Sequence, residues 1–204
     1  MDKSQKLQVL QKDLESKKDM PLIKSPEDVV FGDGNPNAEI MFIGEAAGYW
    51  ESIKRKPFVG NAGKLLDEVM NSVGVNRADV YITNMIKTRP PGNRDPLPEE
   101  LEAFAPFVDE EIEIINPKII ATLGRFSMGK FLPDVKISGV HGKVFKINWK
   151  GKDRVVMPMF HPAAALRRGD VMEQFRNDFK ILQNLKKELK DREELKKAEQ
   201  LNLI

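Results

Sequence analysis

Four short runs of nearly continuous apolar residues constrain the fold of this chain more than any other feature. They are residues 38–44 (AEIMFIG), 80–84 (VYITN), 118–124 (KIIATLG) and 154–160 (RVVMPMF). A strand that is apolar at nearly every position needs cover on both faces, which is the situation inside a parallel sheet. Between these runs, apolar residues recur at helical spacing. Ala62, Leu65, Leu66, Val69 and Val73 form one such set, and Leu101, Phe104, Val108, Ile112 and Ile115 form another after the start signal Pro98-Glu99-Glu100. Pro106 is placed to kink the second helix. The alternation predicts an α/β protein, a three-layer α/β/α sandwich around a mainly parallel four-stranded sheet. Residues 144–149, the turn Lys150-Gly151-Lys152-Asp153 and the strand after it predict a hairpin at the sheet edge.

Both ends read as helical. Leu7, Leu10 and Leu14 mark a short N-terminal helix, and Met172, Phe175, Phe179, Leu182, Leu185 and Leu189 mark a long C-terminal one. From about residue 186 this helix turns into a charged extension, expected to be solvated, with a partner-binding role as the alternative. At 204 residues, positions 1–204 are read as one domain. The apolar runs stop well short of the roughly 18 residues a membrane span needs. The N-terminus mixes acids with bases and has no apolar stretch of the kind a secretory signal carries. A cytoplasmic monomer is the expectation.

The chain has no cysteine, which excludes disulfides, thiol nucleophiles and thiolate metal sites. With only His141 and His161 as imidazoles and no HExxH spacing, neither a metal nor a cofactor is expected. The formal net charge of +2 does not argue for a nucleic-acid partner, but its distribution does. Bases gather at Lys54-Arg55-Lys56, at Lys87, Arg89 and Arg94, and at Arg167-Arg168, each cluster following a predicted strand.

Ligands of open parallel sheets bind where the strands end, because the loops converge there. The first strand runs into Gly44-Glu45-Ala46-Ala47-Gly48-Tyr49-Trp50-Glu51, the second into Asn84, the third into Gly124-Arg125 and the fourth into His161-Pro162-Ala163. A carboxylate, an amide and an imidazole therefore share one rim. Gly60-Asn61-Ala62-Gly63-Lys64 has the look of a phosphate-binding loop. Phe58 stands where that loop needs its first glycine and Leu65 where it needs Ser or Thr, which excludes nucleotide hydrolysis.

Taken in order, GEAAG at residues 44–48, PFVGNAGKLLD at 57–67, YITNMIKTRPPGNR at 81–94 and HPAAALR at 161–167 resemble the motifs of the family 4 uracil-DNA glycosylases, over roughly residues 17–185. The resemblance implies an enzyme that hydrolyses the N-glycosidic bond of a flipped-out uracil in single- or double-stranded DNA and leaves an abasic site. It implies Asn84 as reader of uracil O4 and N3–H, since one carboxamide offers both the donor and the acceptor. It implies Phe58 as stacking platform, Glu51 as the group crowding the C5 edge against thymine, and His161 as donor to uracil O2 while charge builds on the leaving base. Ala46 joins the uracil-binding set at the position where relatives with a GQDPY motif carry a water-orienting Asp. Glu45 is the nearest carboxylate for that task, with organisation of the loop as its alternative, and Asn93 is a second candidate. Leu166 is the expected wedge for the gap left by the base, and Lys87, Arg89, Asn93, Arg94, Arg167 and Arg168 the expected DNA contacts.

Two departures stand out. Ala47 replaces the usual proline of the first motif, and the four cysteines that hold an iron–sulfur cluster in the family are absent. By the resemblance, Lys17, Met20, Thr88 and Phe104 take their places and are expected to lie together. No basic, His-bearing insertion of the kind found in a DNA-crosslinking relative follows Asn84, so turnover is expected. A catalytically silent DNA- or protein-binding module on the same fold is the alternative reading.

Overall fold

The computed structural model describes residues 1–201; the last three residues of the charged extension lie outside the described residues. The strands are β1 (Asp33–Gly34), β2 (Ile40–Ala46), β3 (Tyr81–Ile86), β4 (Ile119–Leu123), β5 (Phe145–Trp149) and β6 (Lys152–Met159). The helices are α1 (Lys3–Ser16), α2 (Tyr49–Lys54), α3 (Asn61–Ser72), α4 (Pro98–Ile115), α5 (Arg125–Gly129), α6 (Ile137–Val140), α7 (Pro162–Ala165) and α8 (Gly169–Leu201). All strands belong to one sheet in the order β1-β3-β2-β4-β6-β5.

The sheet therefore has six strands, not four. The four expected strands form its centre, where β3, β2, β4 and β6 run parallel. The hairpin adds β5 antiparallel to β6 at one edge. At the other edge β1 pairs antiparallel with β3 through only two residues, too few to leave any periodicity in the sequence.

Period-2 alternation along each central strand sorts the core into two layers. Ile40, Phe42, Ile82, Ile119, Ala121, Leu123, Met157 and Met159 pack with Leu66, Val69 and Met70 of α3 and Phe175, Phe179 and Leu182 of α8. Met41, Ile43, Tyr81, Met85, Ile120 and Val156 pack on the other face with Leu7, Leu10 and Leu14 of α1 and Phe104, Val108, Ile112 and Ile115 of α4. Pro98 opens α4, where a missing N–H costs nothing, and Pro106 stands inside the helix without ending it. Among the described residues, no helix is long and apolar enough to cross a membrane.

The N-terminal segment is held by these apolar contacts. Phe104 is fully buried and Met20 packs against the same cluster, while Lys17 reaches back to Asp13 at 3.2 Å. An ammonium, a thioether, a hydroxyl and a phenyl ring do not fit an iron–sulfur cluster, whose irons need thiolate ligands. Among the described residues, no group of three or more His, Cys, Asp or Glu side chains could hold a metal ion.

Candidate active site

A cavity of about 320 Å³ opens at the carboxyl edge of the parallel strands. Its lining draws Glu45, Ala46, Ala47, Gly48 and Glu51 from the β2 end and α2, Phe58 and Ala62 from the segment entering α3, Asn84 from β3, and His161, Ala163 and Arg167 from the β6–α7 turn. The loop after β3 adds Pro90, Asn93, Arg94, Asp95 and Pro96.

Asn84 sits on the strand position paired with Gly44 of β2. Its side chain is buried, and its Oδ1 has no hydrogen-bond partner. Leaving a buried acceptor unpaired costs about 1–3 kcal/mol, so an unsatisfied oxygen bordering a cavity marks a place where a ligand donor fits. A Cβ on Gly44 would collide with Asn84 Oδ1 and with the Phe58 ring. Glycine at 44 is thus what lets amide and ring converge on one strand end.

Phe58 adopts φ 52°, a left-handed conformation that costs a non-glycine residue about 1–2 kcal/mol. Three contacts hold it there. Arg77 donates to the carbonyls of Pro57 at 2.6 Å and Phe58 at 3.0 Å, while pairing with Asp67 at 2.9 Å. Glu51 Oε1 accepts from the amides of Val59 at 2.9 Å and Gly60 at 2.7 Å. Gly63 lets the first turn of α3 press on the Phe58 carbonyl, where any Cβ would collide. The sequence carried no signal for Arg77: it lies on a 3-10 turn ahead of β3, away from every motif.

His161 caps α7. Its Nδ1 accepts the Ala163 N–H at 3.1 Å, and its ring lies 5.6 Å from that of Phe58. Accepting at Nδ1 puts the proton of the neutral ring on Nε2, leaving that atom as a donor. Burial pushes the imidazole down to about 4, with Arg167 adding to the effect and Glu51 opposing it. Glu45 moves the other way. Burial raises its carboxyl above the usual range, against the Phe126 amide at 3.3 Å and the nearby Arg125 charge, both of which lower it. Gly124, at φ +103°, leaves the room this carboxyl occupies.

The expected DNA contacts divide. Leu166 is 48% exposed beside Arg167, on the turn that carries His161. Arg89 donates to Asn93 Oδ1 at 2.7 Å, Arg94 pairs with Glu100 and Arg168 with Asp170, each at 2.5 Å. Lys87 contradicts its expected role. It is fully buried, with Nζ held by Thr83 and Glu111 and lying 5.5 Å from the Phe31 ring centre, so it meets no phosphate. The reason is parity: residues 83, 85 and 87 point toward α4, opposite to Asn84.

A parallel sheet that gathers an unpaired amide, an aromatic face and a neutral imidazole donor over one cavity defines an α/β protein with a pocket for a flat, polar ring. The profile of the uracil DNA glycosylase superfamily matches residues 31–186. The type-4 uracil-DNA glycosylase of Archaeoglobus fulgidus is 45% identical over 80% of this chain and 85% of its own length. The type-4 enzyme of Sulfurisphaera tokodaii is 44% identical over 76% of this chain and 73% of its own length. The type-5 uracil-DNA glycosylase of Pyrobaculum aerophilum is 30% identical over 55% of each. The chain belongs to the uracil-DNA glycosylase superfamily.

Proposed function

We propose that this protein is a family 4-like uracil-DNA glycosylase that works without an iron–sulfur cluster, acting as a monomer of one domain on single- and double-stranded DNA. The observation that carries the reading is the buried, unpaired Asn84 Oδ1 beside the Phe58 ring. Uracil N3–H supplies the missing donor, and the same amide donates to O4. Cytosine presents an acceptor at N3 and a donor at C4, leaving both amide groups mismatched, which is the strongest form of discrimination a polar pocket has. Glu51 crowds the C5 edge and disfavours the methyl of thymine, with Ala46 completing the wall.

The N1–C1′ bond breaks with its electron pair leaving on the base, and the negative charge spreads to O2. His161, neutral with a proton on Nε2, donates to that oxygen, and its hydrogen bond strengthens as the charge grows. A water adds to C1′ of the oxocarbenium-like sugar, and Glu45 orients it and takes its proton. Asn93 is the second candidate for holding that water. Leu166 enters the stack behind the base, while Arg89, Arg94, Arg167 and Arg168 meet phosphates and give affinity without sequence preference.

Alkali cleavage of a uracil-containing oligonucleotide after incubation tests the activity. Asn84→Ala should lose most excision yet keep its salt-dependent DNA binding, because base reading and phosphate contact are separate contributions. Excision by this variant near the wild-type rate would place the pocket elsewhere.

A further inference from the structure

The short helix α2 presents a bare apolar face beside the cavity. Tyr49, Trp50 and Ile53 are 51%, 54% and 63% exposed, although residues three and four apart share one side of a helix. Large aromatics left in water next to a binding pocket mark a contact surface. The two rings are ordered against each other, edge to face with centroids 5.2 Å apart. Their helix is fixed from the next residue, because Glu51 lines the cavity and accepts the amides of Val59 and Gly60. The Arg89 guanidinium lies 5.1 Å from the centre of the Tyr49 ring and donates to Asn93, itself on the cavity wall. Cation, aromatic pair and pocket form one continuous surface, with the exposed Lys54 at the far end of the helix.

We propose that Tyr49 and Trp50 are a stacking platform for an unpaired nucleobase neighbouring the uridine, so that the enzyme holds single-stranded DNA by more than its phosphates. The proposal rests on the glycosylase reading for the identity of the strand. Aromatic faces accept any base, and a cation on the ring and beside the backbone suits a polyanion. Continuity with the uracil pocket selects a base of the same strand as occupant, since a chain whose uridine enters the cavity must leave across its rim. A protein partner would have no need of Arg89 and the pocket wall.

The test uses the full chain and three probes: single-stranded thymidine oligonucleotide, a single strand with one deoxyuridine between thymidines, and the same strand with abasic tetrahydrofuran residues flanking the uridine. The thymidine oligonucleotide should quench tryptophan fluorescence in wild type and not in Trp50→Phe. In Tyr49→Ala/Trp50→Ala, KM on the fully flanked strand should rise roughly 5- to 150-fold, the span expected for loss of base stacking. That rise should vanish on the strand with abasic flanks, and Trp50→Phe should retain most of the affinity. Equal losses on both strands, a loss confined to kcat, or no quenching would overturn the platform. A wild type that is quenched but releases no uracil would sink the glycosylase reading while leaving the platform standing.

Discussion

His161 illustrates how one hydrogen bond fixes a side chain's chemistry. Its Nδ1 is taken by the Ala163 N–H, so a second proton can enter only by breaking that cap. Burial, which disfavours the imidazolium, makes the folded protein bind this proton less readily than the unfolded chain, whose imidazole has the ordinary value near 6.5. The stability that depends on neutral His161 is complete above that value and is lost as the pH falls toward about 4. Buried Asp178, held up to about 6, gives a slope of opposite sign, its share being lost as the pH rises from its ordinary 3.8 to about 6. The His161 effect is accordingly read as a difference. Between pH 6.5 and 4, the gap in denaturant midpoint between wild type and His161→Gln should move against wild type. A nitrogen NMR spectrum at pH 5.5 should show Nδ1 unprotonated and Nε2 protonated, and a doubly protonated ring at that pH would refute the assignment.

At the scale of elements, the segment from α2 through Phe58 to α3 is a strained turn clamped from outside by Arg77 and from inside by Glu51. Arg77→Ala removes the donors of two carbonyls and leaves Asp67 unpaired. Folding stability should fall by about 1–3 kcal/mol, and KM for uracil-containing DNA should rise as Phe58 loses its fixed place. Thermal unfolding and steady-state excision measure the two effects, and unchanged kinetics in a measurably destabilised variant would show that the clamp serves the fold alone. β3 shows how an element divides labour. Asn84 faces the cavity, while Tyr81, Thr83 and Lys87 turn the other way to meet Glu111 of α4. The basic cluster after Asn84 looked uniform in sequence, yet Lys87 is fully buried on a carboxylate of α4 while Arg89 and Arg94 stay within reach of solvent.

Across the whole molecule, the Lys87–Glu111 pair ties the layer of α4 to the sheet in a fully buried setting. Burial lowers the ammonium below its ordinary value, and the Glu111 charge counters that shift. Removing one partner strands the other, a loss of about 3–5 kcal/mol, whereas an apolar pair of similar volume is often neutral. Glu111→Leu should therefore destabilise severely, and Lys87→Met/Glu111→Leu should recover only part of the urea midpoint, because the buried Tyr81 hydroxyl, which donates to Glu111 at 2.9 Å, still loses its acceptor. The double variant also bears on binding. Its slope of log affinity for DNA against log salt should match wild type, while Arg167→Ala should flatten that slope by about 1. A flattened slope in the double variant would return Lys87 to the phosphate contacts.

The sequence by itself determined the four parallel strands, the amphipathic helices of both layers and the residues at the strand ends, because hydrophobic period and motif order are local properties. Glu45, Asn84 and His161 were legible at the strand ends and Phe58 and Glu51 through the resemblance of the motifs, and the structure brings all five to one cavity. Only the tertiary structure decided the rest. The pairing of β1 takes two residues and no pattern, the clamp by Arg77 spans 19 and 20 positions, and the burial of Lys87 depends on a carboxylate 24 residues away. The unpaired oxygen of Asn84 is the plainest case: an amide at a strand end is visible in any sequence, but its lack of a partner exists only once Gly44 and Phe58 have closed around it.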